Sequence, residues 1–119
     1  MISLDYRSRE PIYDQIVNGI IKLRALGVLK ADDKLPSVRA LASELRVNPN
    51  TVQKAYAILE ADKIIYSISG KGSFISGDTD AEVSILNAAK EDFKKALLSA
   101  AERGLSKEVL VKMLEESLK

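Results

Sequence analysis

The sequence predicts a mainly α-helical fold with one small β-hairpin. Apolar residues recur at spacings of three and four through most of the chain, which is the period of an amphipathic helix. A run of β-branched and aromatic residues occurs in one short stretch, around a Gly-Lys-Gly turn. The chain is 46% hydrophobic but only 5% aromatic and has no Trp, so its core consists largely of Ile, Leu, Val and Ala, which suit packed helices.

The first helix is predicted over residues 11–26. Pro11 suits the first helical position, because the N–H that it lacks would be unpaired there anyway. Gly27 supplies a stop, since glycine tolerates the left-handed conformation of a helix cap, and Gly19 is a weak spot within the helix. A polar connection follows over residues 30–35. The apolar stripe of the helix is formed by Ile12, Ile16, Val17, Ile20 and Leu23.

Two more helices follow in close succession. Ser37 can cap the second helix, and Asn48-Pro49 supplies the cap and the first position of the third, which we expect over about 49–61. Arg46 begins a connection too short for anything but a tight turn. Both helices repeat one apolar spacing, as expected when they pack on a shared core at a steep angle. The inward positions are Val38, Leu41, Ala42 and Leu45, then Val52, Ala55, Tyr56 and Leu59.

A short hairpin is predicted after Asp62. Residues 64–68 read Ile-Ile-Tyr-Ser-Ile, and Ser-Phe-Ile resumes the strand pattern over 73–75. The glycines between them place the tip over 69–73. The order helix, helix, tight turn, helix, hairpin is that of a winged helix-turn-helix, whose wing is the hairpin.

The remainder is predicted to be a short helical segment. Gly77-Asp78-Thr79-Asp80 reads as a boundary between a domain over 1–77 and a segment over 78–119. Gly104 ends one helix of this segment, and Ser106 can cap the last one. Two such helices cannot bury their apolar stripes on each other alone, so we expect a dimer with a two-fold interface. The alternative is that they fold back on the first helix of their own chain and form a monomer core. The residues expected in that interface are Phe93, Leu97, Leu110, Met113, Leu114 and Leu118.

The outer face of the third helix has the chemistry of a DNA reader. Its outward residues are Asn50, Gln53, Lys54 and Ala57. A major groove about 12 Å wide admits one helix, amides can bind adenine edges, and Lys can reach guanine or phosphate. Free N–H groups at the helix start are expected to hold a backbone phosphate. On an isolated helix the same side chains would read as an ordinary solvated face.

Other candidate contacts each have a plainer alternative. Asn48 is either a cap alone or a cap that also touches phosphate. Arg39 is either a surface charge or a contact to guanine or phosphate, and Arg46 is a phosphate contact or has no role. Gly70-Lys71-Gly72 is either an ordinary turn or a wing tip small enough to approach the minor groove, with Lys71 supplying charge.

Charge and composition exclude several function classes. Residues 1–77 hold 11 Lys or Arg against 8 Asp or Glu, which gives a net charge of +3. The basic residues include Arg7 and Arg9, which belong to an irregular segment over residues 1–10. The chain has no His and no Cys, so it lacks the usual zinc ligands, general base and thiol nucleophile. We therefore expect no enzyme and no cofactor. Without a membrane-length apolar stretch or a signal peptide, we expect a cytoplasmic protein.

The sequence resembles the GntR family of bacterial repressors over about residues 4–76. The resemblance rests on residues 35–42 (Leu-Pro-Ser-Val-Arg-Ala-Leu-Ala), 47–56 (Val-Asn-Pro-Asn-Thr-Val-Gln-Lys-Ala-Tyr) and Leu59-Glu60, with matches at 11–16 and 70–75. The short helical remainder resembles the YtrA-like subclass, in which about two helices replace a large effector domain and serve dimerisation.

The resemblance implies a repressor that binds a palindromic operator as a homodimer. Arg39 matches a base-contacting Arg of the family and Ser37 a phosphate contact. Asn50 and Thr51 match polar positions at the start of the recognition helix, and residues 70–72 match the wing tip. Whether a small-molecule effector exists is left open, since no convergent polar cluster in the sequence marks a site for one.

Two departures from the family pattern lie away from the predicted DNA face. The usual Pro-Gly before the Leu-Pro-Ser run is here Ala31-Asp32, and Lys63 stands where a Gly usually follows the recognition helix. If Lys63 is left-handed, its conformation costs roughly 1 kcal/mol. Some family members carry Arg where Pro49 stands, which implies one base contact fewer here.

Overall fold

The computed structural model describes residues 2–119, and its elements follow the predicted order. The helices are α1 (Ile12–Ala25), α2 (Val38–Leu45), α3 (Pro49–Ala61), α4 (Asp80–Glu102) and α5 (Lys107–Ser117), and the strands are β1 (Ile65–Ile68) and β2 (Gly72–Ile75). By internal contacts the chain divides into two compact units, one ending at Glu82 and one comprising Val83–Lys119. The domain boundary predicted at residue 77 stays a prediction.

The core of the first unit forms where α1 and α2 pack on α3. All four inward positions predicted for α3 are buried, and Val52 and Leu59 are completely inaccessible to solvent. In α1 the predicted Ile16, Val17 and Ile20 are buried. Apolar stripes spaced for helices therefore find partners within this unit, which is where the hydrophobic gain of folding arises.

The start of α1 differs from the prediction by one residue. Pro11 is the N-cap, with an extended ψ of 148°, and the helix begins at Ile12. The Pro11 carbonyl already accepts a hydrogen bond from the Gln15 N–H at 3.1 Å. Proline tolerates this position for the predicted reason, since the N–H that it lacks would have no helical partner.

The hairpin is antiparallel, and its register pairs Ile65 with Ile75 and Ile68 with Gly72. A third segment lies against β2, where the sequence predicted only a polar connection. The Leu35 N–H donates to the Ser73 carbonyl at 2.9 Å, and Lys34 forms a bridge with Phe74. These bonds join the Leu-Pro-Ser segment to the hairpin and so connect the start of α2 to the wing.

Both departures from the family pattern fall on left-handed residues. Lys63 has φ 60°, which confirms the conformation considered for it, and Asp32 has φ 68°. Each costs roughly 1 kcal/mol relative to glycine. Asp32 gains something in return, because its Oδ1 accepts a 2.7 Å hydrogen bond from the Tyr66 hydroxyl.

The second unit consists of most of α4 and all of α5. Ser106 caps α5 as predicted, its Oγ accepting from the Val109 N–H at 3.3 Å. No residue of Val83–Lys119 is buried. Phe93 is 57% exposed, Leu114 47% and Leu118 77%. Exposed apolar side chains in such number mark an interaction surface.

Candidate nucleic-acid interface

The outer face of α3 is open to solvent as predicted. Asn50, Gln53, Lys54 and Ala57 are all exposed, and Thr51 is half-buried. The opposite face is held in the core by Val52, Ala55, Tyr56 and Leu59. The helix therefore presents two amides and one ammonium to solvent, while its opposite face is packed in the core.

Lys54 does not extend freely from this face. Its Nζ lies 3.8 Å from the centre of the Tyr13 ring at the start of α1. The ring quadrupole attracts the ammonium, with a gain of about 0.5–1 kcal/mol at an exposed site. Lys54 is thereby positioned at the edge where α3 meets the first turn of α1.

The N–H groups in the first turn of α3 already donate hydrogen bonds within the chain. Asn48 Oδ1 accepts from the Asn50 N–H at 2.8 Å, and the Asn48 carbonyl accepts from Thr51 at 2.9 Å and Val52 at 3.4 Å. Pro49 has no N–H to offer. The cap role of Asn48 is confirmed. The N–H groups of Asn50 and Thr51 are not free as expected, because the cap and the first helical turn satisfy them, whereas among residues 2–119 the Asn48 N–H has no hydrogen-bond partner.

The start of α2 offers several free hydrogen-bond donors. Ser37 Oγ accepts from the Ala40 N–H at 3.0 Å, and its own hydroxyl proton remains available for donation. Among residues 2–119, the N–H groups of Val38 and Arg39 have no hydrogen-bond partner. The Arg39 side chain is exposed beside them. Hydroxyl, amides and guanidinium thus lie together at one helix end.

Tyr56 fixes the position of this helix end relative to α3. Its hydroxyl donates a 2.7 Å hydrogen bond to the Pro36 carbonyl, one residue before Ser37. Burial of the ring raises the pKa of Tyr56 to about 12, so the hydroxyl keeps its proton at neutral pH. The start of α2 and the outer face of α3 are therefore parts of one connected surface.

The turn between α2 and α3 is formed by Arg46 in a left-handed conformation, with φ 58°. Its N–H donates to the Ser43 carbonyl at 3.3 Å, and the Val47 N–H donates to Ala42 at 3.0 Å. These bonds satisfy the Ser43 and Ala42 carbonyls in the last turns of α2. The Arg46 side chain points to solvent, next to the start of α3.

The wing tip is narrow and carries two ammonium groups. Gly70 and Gly72 have φ values of 78° and 122°, which side chains disfavour, and Lys71 is exposed between them. Lys34 was not identified from the sequence as a candidate. Its Cε lies 3.1 Å from the position that a Gly72 Cβ would take, so its stem crosses the wing at the missing side chain.

The base of the wing is held by aromatic contacts. Tyr66 and Phe74 stack with ring centroids 5.5 Å apart. The hydrogen bond to Asp32, with burial and the charge of that carboxylate adding to it, raises the pKa of Tyr66. Asp32, in the loop before α2, is thus attached to the hairpin at Tyr66.

A separate apolar surface lies on α4 and α5. Two grooves, of about 460 and 450 Å³, open between these helices, and both are lined by Phe93, Leu97, Leu110 and Leu114. Met113 and Leu118 line the first groove only. The six residues predicted for dimerisation therefore share one groove.

Residues 2–119 contain no group of three or more His, Cys, Asp or Glu side chains placed to hold a metal ion. In the same range, no helix is long and apolar enough to span a membrane.

Comparison with known proteins gives a consistent result. Residues 9–75 match the model of the gntR family of bacterial regulatory proteins. The HTH-type transcriptional repressor YtrA of Bacillus subtilis is 39% identical over 118 residues, which cover 98% of this chain and 91% of that protein.

Solved structures agree with the sequence relatives. A GntR family transcriptional regulator from Listeria monocytogenes superposes with a TM-score of 0.76 at 35% identity, covering 95% of this chain and 98% of its own. The DNA-binding domain of AraR, solved in complex with its operator ORE1, superposes with a TM-score of 0.55 at 26% identity. That match covers 64% of this chain and 93% of the AraR domain.

Proposed function

Because the chain belongs to the GntR family, and is thus a DNA-binding regulator of transcription rather than an enzyme, we propose that it represses transcription by binding a palindromic operator as a homodimer. The relative from Bacillus subtilis is named a repressor and matches this chain along nearly its whole length. A regulator of this kind acts on the chromosome, which places it in the cytoplasm.

The observation that carries the proposal is the exposed polar face from Ser37 to Gly72. In the proposed complex, α3 lies in the major groove with Asn50 and Gln53 at base edges. Arg39 reads guanine from the start of α2, because a guanidinium can bond both acceptors of that base. Thr51 and Lys54 border this contact, and the Lys54 ammonium can leave the Tyr13 ring for a phosphate at small cost.

Phosphate contacts position the helices on the duplex. The Ser37 hydroxyl and the unpaired N–H groups of Val38 and Arg39 suit one phosphate. Arg46 and the side-chain amide of Asn48 suit another, since the N–H groups of Asn50 and Thr51 are occupied. These contacts add affinity without reading sequence.

The wing approaches the minor groove over residues 69–73. Gly70 and Gly72 keep the tip narrow, and Lys71 supplies charge. Lys34 adds a second ammonium at the same place, because its stem passes over Gly72.

A homodimer explains the exposed apolar face of α4 and α5. Their grooves present side chains that a stable chain buries, and an isologous interface lets a second copy cover the same residues. Two copies related by a two-fold axis read half-sites about one helical turn apart, roughly 34 Å.

The function is tested by selecting bound duplexes from a pool of random sequence at physiological salt. We expect a palindrome and an affinity that falls steeply as salt rises. Arg39→Ala is expected to cost about 1–3 kcal/mol on the selected duplex and little on a scrambled one. Lys71→Gln, the comparison variant, is expected to weaken both duplexes alike. Equal wild-type affinity for selected and scrambled duplexes would overturn the proposal.

A further inference from the structure

A compact polar turn, residues 5–10, precedes α1, and we refer to it as the arm. The Gln15 side chain holds both of its ends: Oε1 accepts from the Asp5 N–H at 2.8 Å, and Nε2 donates to the carbonyls of Asp5 and Glu10 at 2.9 Å each. Asp5 Oδ1 also accepts from the Arg7 N–H at 2.9 Å. The sequence predicted an irregular segment here, but hydrogen bonds order it.

Ile2, ahead of the arm, lies beside α1. Ile2 packs on Gly19, where a Cβ would stand 3.2 Å from Ile2 Cγ2. The glycine predicted as a weak spot of α1 is therefore the place where the Ile2 side chain packs against the helix. With Ile2 at Gly19 and Asp5 at Gln15, the arm itself lies at the first turn of α1.

A single hydrogen bond ties the arm to the helix-turn-helix. The Tyr6 hydroxyl donates to the Leu45 carbonyl at 2.9 Å, across 39 residues of sequence. Leu45 ends α2, immediately before Arg46 in the turn. The Tyr6 ring is 65% exposed, so apolar burial does not account for the contact. The arm is thus positioned beside the turn that precedes the recognition helix.

The arm brings two more guanidinium groups to this place. Arg7 and Arg9 are exposed, as is Arg46. Among residues 2–119 the structure forms an ion pair only between Arg24 and Glu82, so none of these three arginines is paired with a carboxylate.

The two acidic side chains of the arm accept hydrogen bonds from neutral groups. Asp5 Oδ1 accepts from the Arg7 N–H, and Glu10 Oε1 accepts from Asn18 Nδ2 at 2.6 Å. Both carboxylates therefore order the arm and α1, and they keep their negative charge. The result is an ordered, exposed segment of zero formal net charge whose two guanidinium groups face solvent.

We propose that the arm is a second phosphate-binding element, in which Arg7 and Arg9 contact the DNA backbone beside the contacts of Arg46. The inference rests on the proposed DNA binding and extends the proposed DNA-binding surface to Arg7 and Arg9. Guanidinium groups match phosphate oxygens in a bidentate geometry. Because the arm is ordered before binding, little conformational entropy is lost on contact.

The charge test uses Arg7→Gln/Arg9→Gln and a matched control, Lys22→Gln/Lys30→Gln. The control removes two exposed charges from the same unit, from near the end of α1 and the connection after it. Anisotropy titrations with labelled duplexes, one selected and one scrambled, give the slope of log K against log [salt]. We expect the slope to fall by about 0.9 per arginine, or about fivefold in affinity each at 0.15 M salt, on both duplexes alike.

The tether test uses Tyr6→Phe, which keeps every charge and removes the bond to Leu45. We expect weaker binding at an unchanged salt slope, because the number of phosphate contacts is kept while the arm is less ordered. Circular dichroism checks that each variant is folded.

The outcomes separate the arm from the proposed function. Wild-type slope and affinity in the arginine variant would overturn the role of the arm while DNA binding stands. A loss equal to that of the lysine control would do the same, since it would reflect net charge alone. Failure of the wild-type protein to bind any duplex would overturn both proposals.

Discussion

The winged unit and the α4–α5 unit follow the same sequence rules with opposite results. Both contain helices with apolar stripes and cap signals. In the winged unit the stripes of α1, α2 and α3 meet, and Ile16, Val52 and Leu59 lose all contact with solvent. In the second unit, Val83–Lys119, no side chain is buried.

The difference shows what an apolar stripe does and does not specify. The spacing of apolar residues predicts that a helix buries one face. It does not show whether the residues that pack against this face belong to the same chain. In the winged unit the apolar faces are buried in the core, and the polar outer face of α3 is exposed. In the second unit, by contrast, the apolar surface itself faces outward. In the proposed function the first unit binds DNA and the second binds another copy of the chain.

The largest effect is expected from replacing the shared lining of both grooves, Phe93→Gln/Leu114→Gln. We expect the dimer to dissociate and affinity for the selected palindrome to fall on the order of 10²–10⁴-fold, because the second half-site is no longer bound by a linked copy. Sedimentation equilibrium and anisotropy measure the two effects. Lys94→Gln/Lys112→Gln, at exposed positions outside both grooves, is the matched control. A groove variant that stays dimeric would remove the contrast between the units.

The next largest effect concerns the core of the winged unit. Ile20 is 1% exposed in α1, and Ile20→Ala is expected to lower the free energy of unfolding by about 2–5 kcal/mol. Denaturant titration measures this, with the exposed Leu26→Ala as a control expected within about 0.5 kcal/mol of wild type. The cost should be the same in the Phe93→Gln/Leu114→Gln background. A cost that disappears there would show that the winged unit depends on the second one.

Tyr56 gives a pH test of the connection between α2 and α3. Burial raises its pKa from 10.0 to about 12, so the stabilisation is complete below pH 10 and is lost as pH rises through 12. The loss amounts to roughly 2–3 kcal/mol. Unfolding of wild type and Tyr56→Phe, compared between pH 9 and 12, isolates this residue from other titrating groups. Parallel curves for the two proteins would contradict the assignment.

The smallest effect is expected at the left-handed residues. Lys63→Gly relieves a φ of 60° and should stabilise the protein by at most about 1 kcal/mol. Asp32→Gly should gain less, because the Tyr66 hydroxyl loses its acceptor. Thermal unfolding ranks the two variants. If Asp32→Gly is the more stable one, the bond to Tyr66 contributes nothing.

Local signals in the sequence were sufficient for the helices and for most of the proposed DNA face. The inward set of α3 follows from spacing alone, and the caps at Ser37, Asn48 and Ser106 follow from residue type and position. These features depend on neighbours within four residues. Spacing also identified the outward position of Asn50 and Gln53.

Features that depend on distant residues were missed or wrong. The bond from Leu35 to Ser73 and that from Tyr6 to Leu45 join segments about 40 residues apart, and no local pattern signals them. Lys34 reaches the wing only because its segment pairs with β2. The α3 amides were expected to be free because a cap signal does not show which donors the cap satisfies.

Hydroxyl-radical footprinting of the selected duplex tests the central claim most directly. Two copies with α3 in successive major grooves should protect two backbone tracts related by a dyad, with centres 10–10.5 base pairs apart. The groove variant Phe93→Gln/Leu114→Gln should lose both tracts at the same protein concentration. A single protected tract for the wild-type protein, or two tracts that persist in the groove variant, would contradict binding as a dimer through α4 and α5.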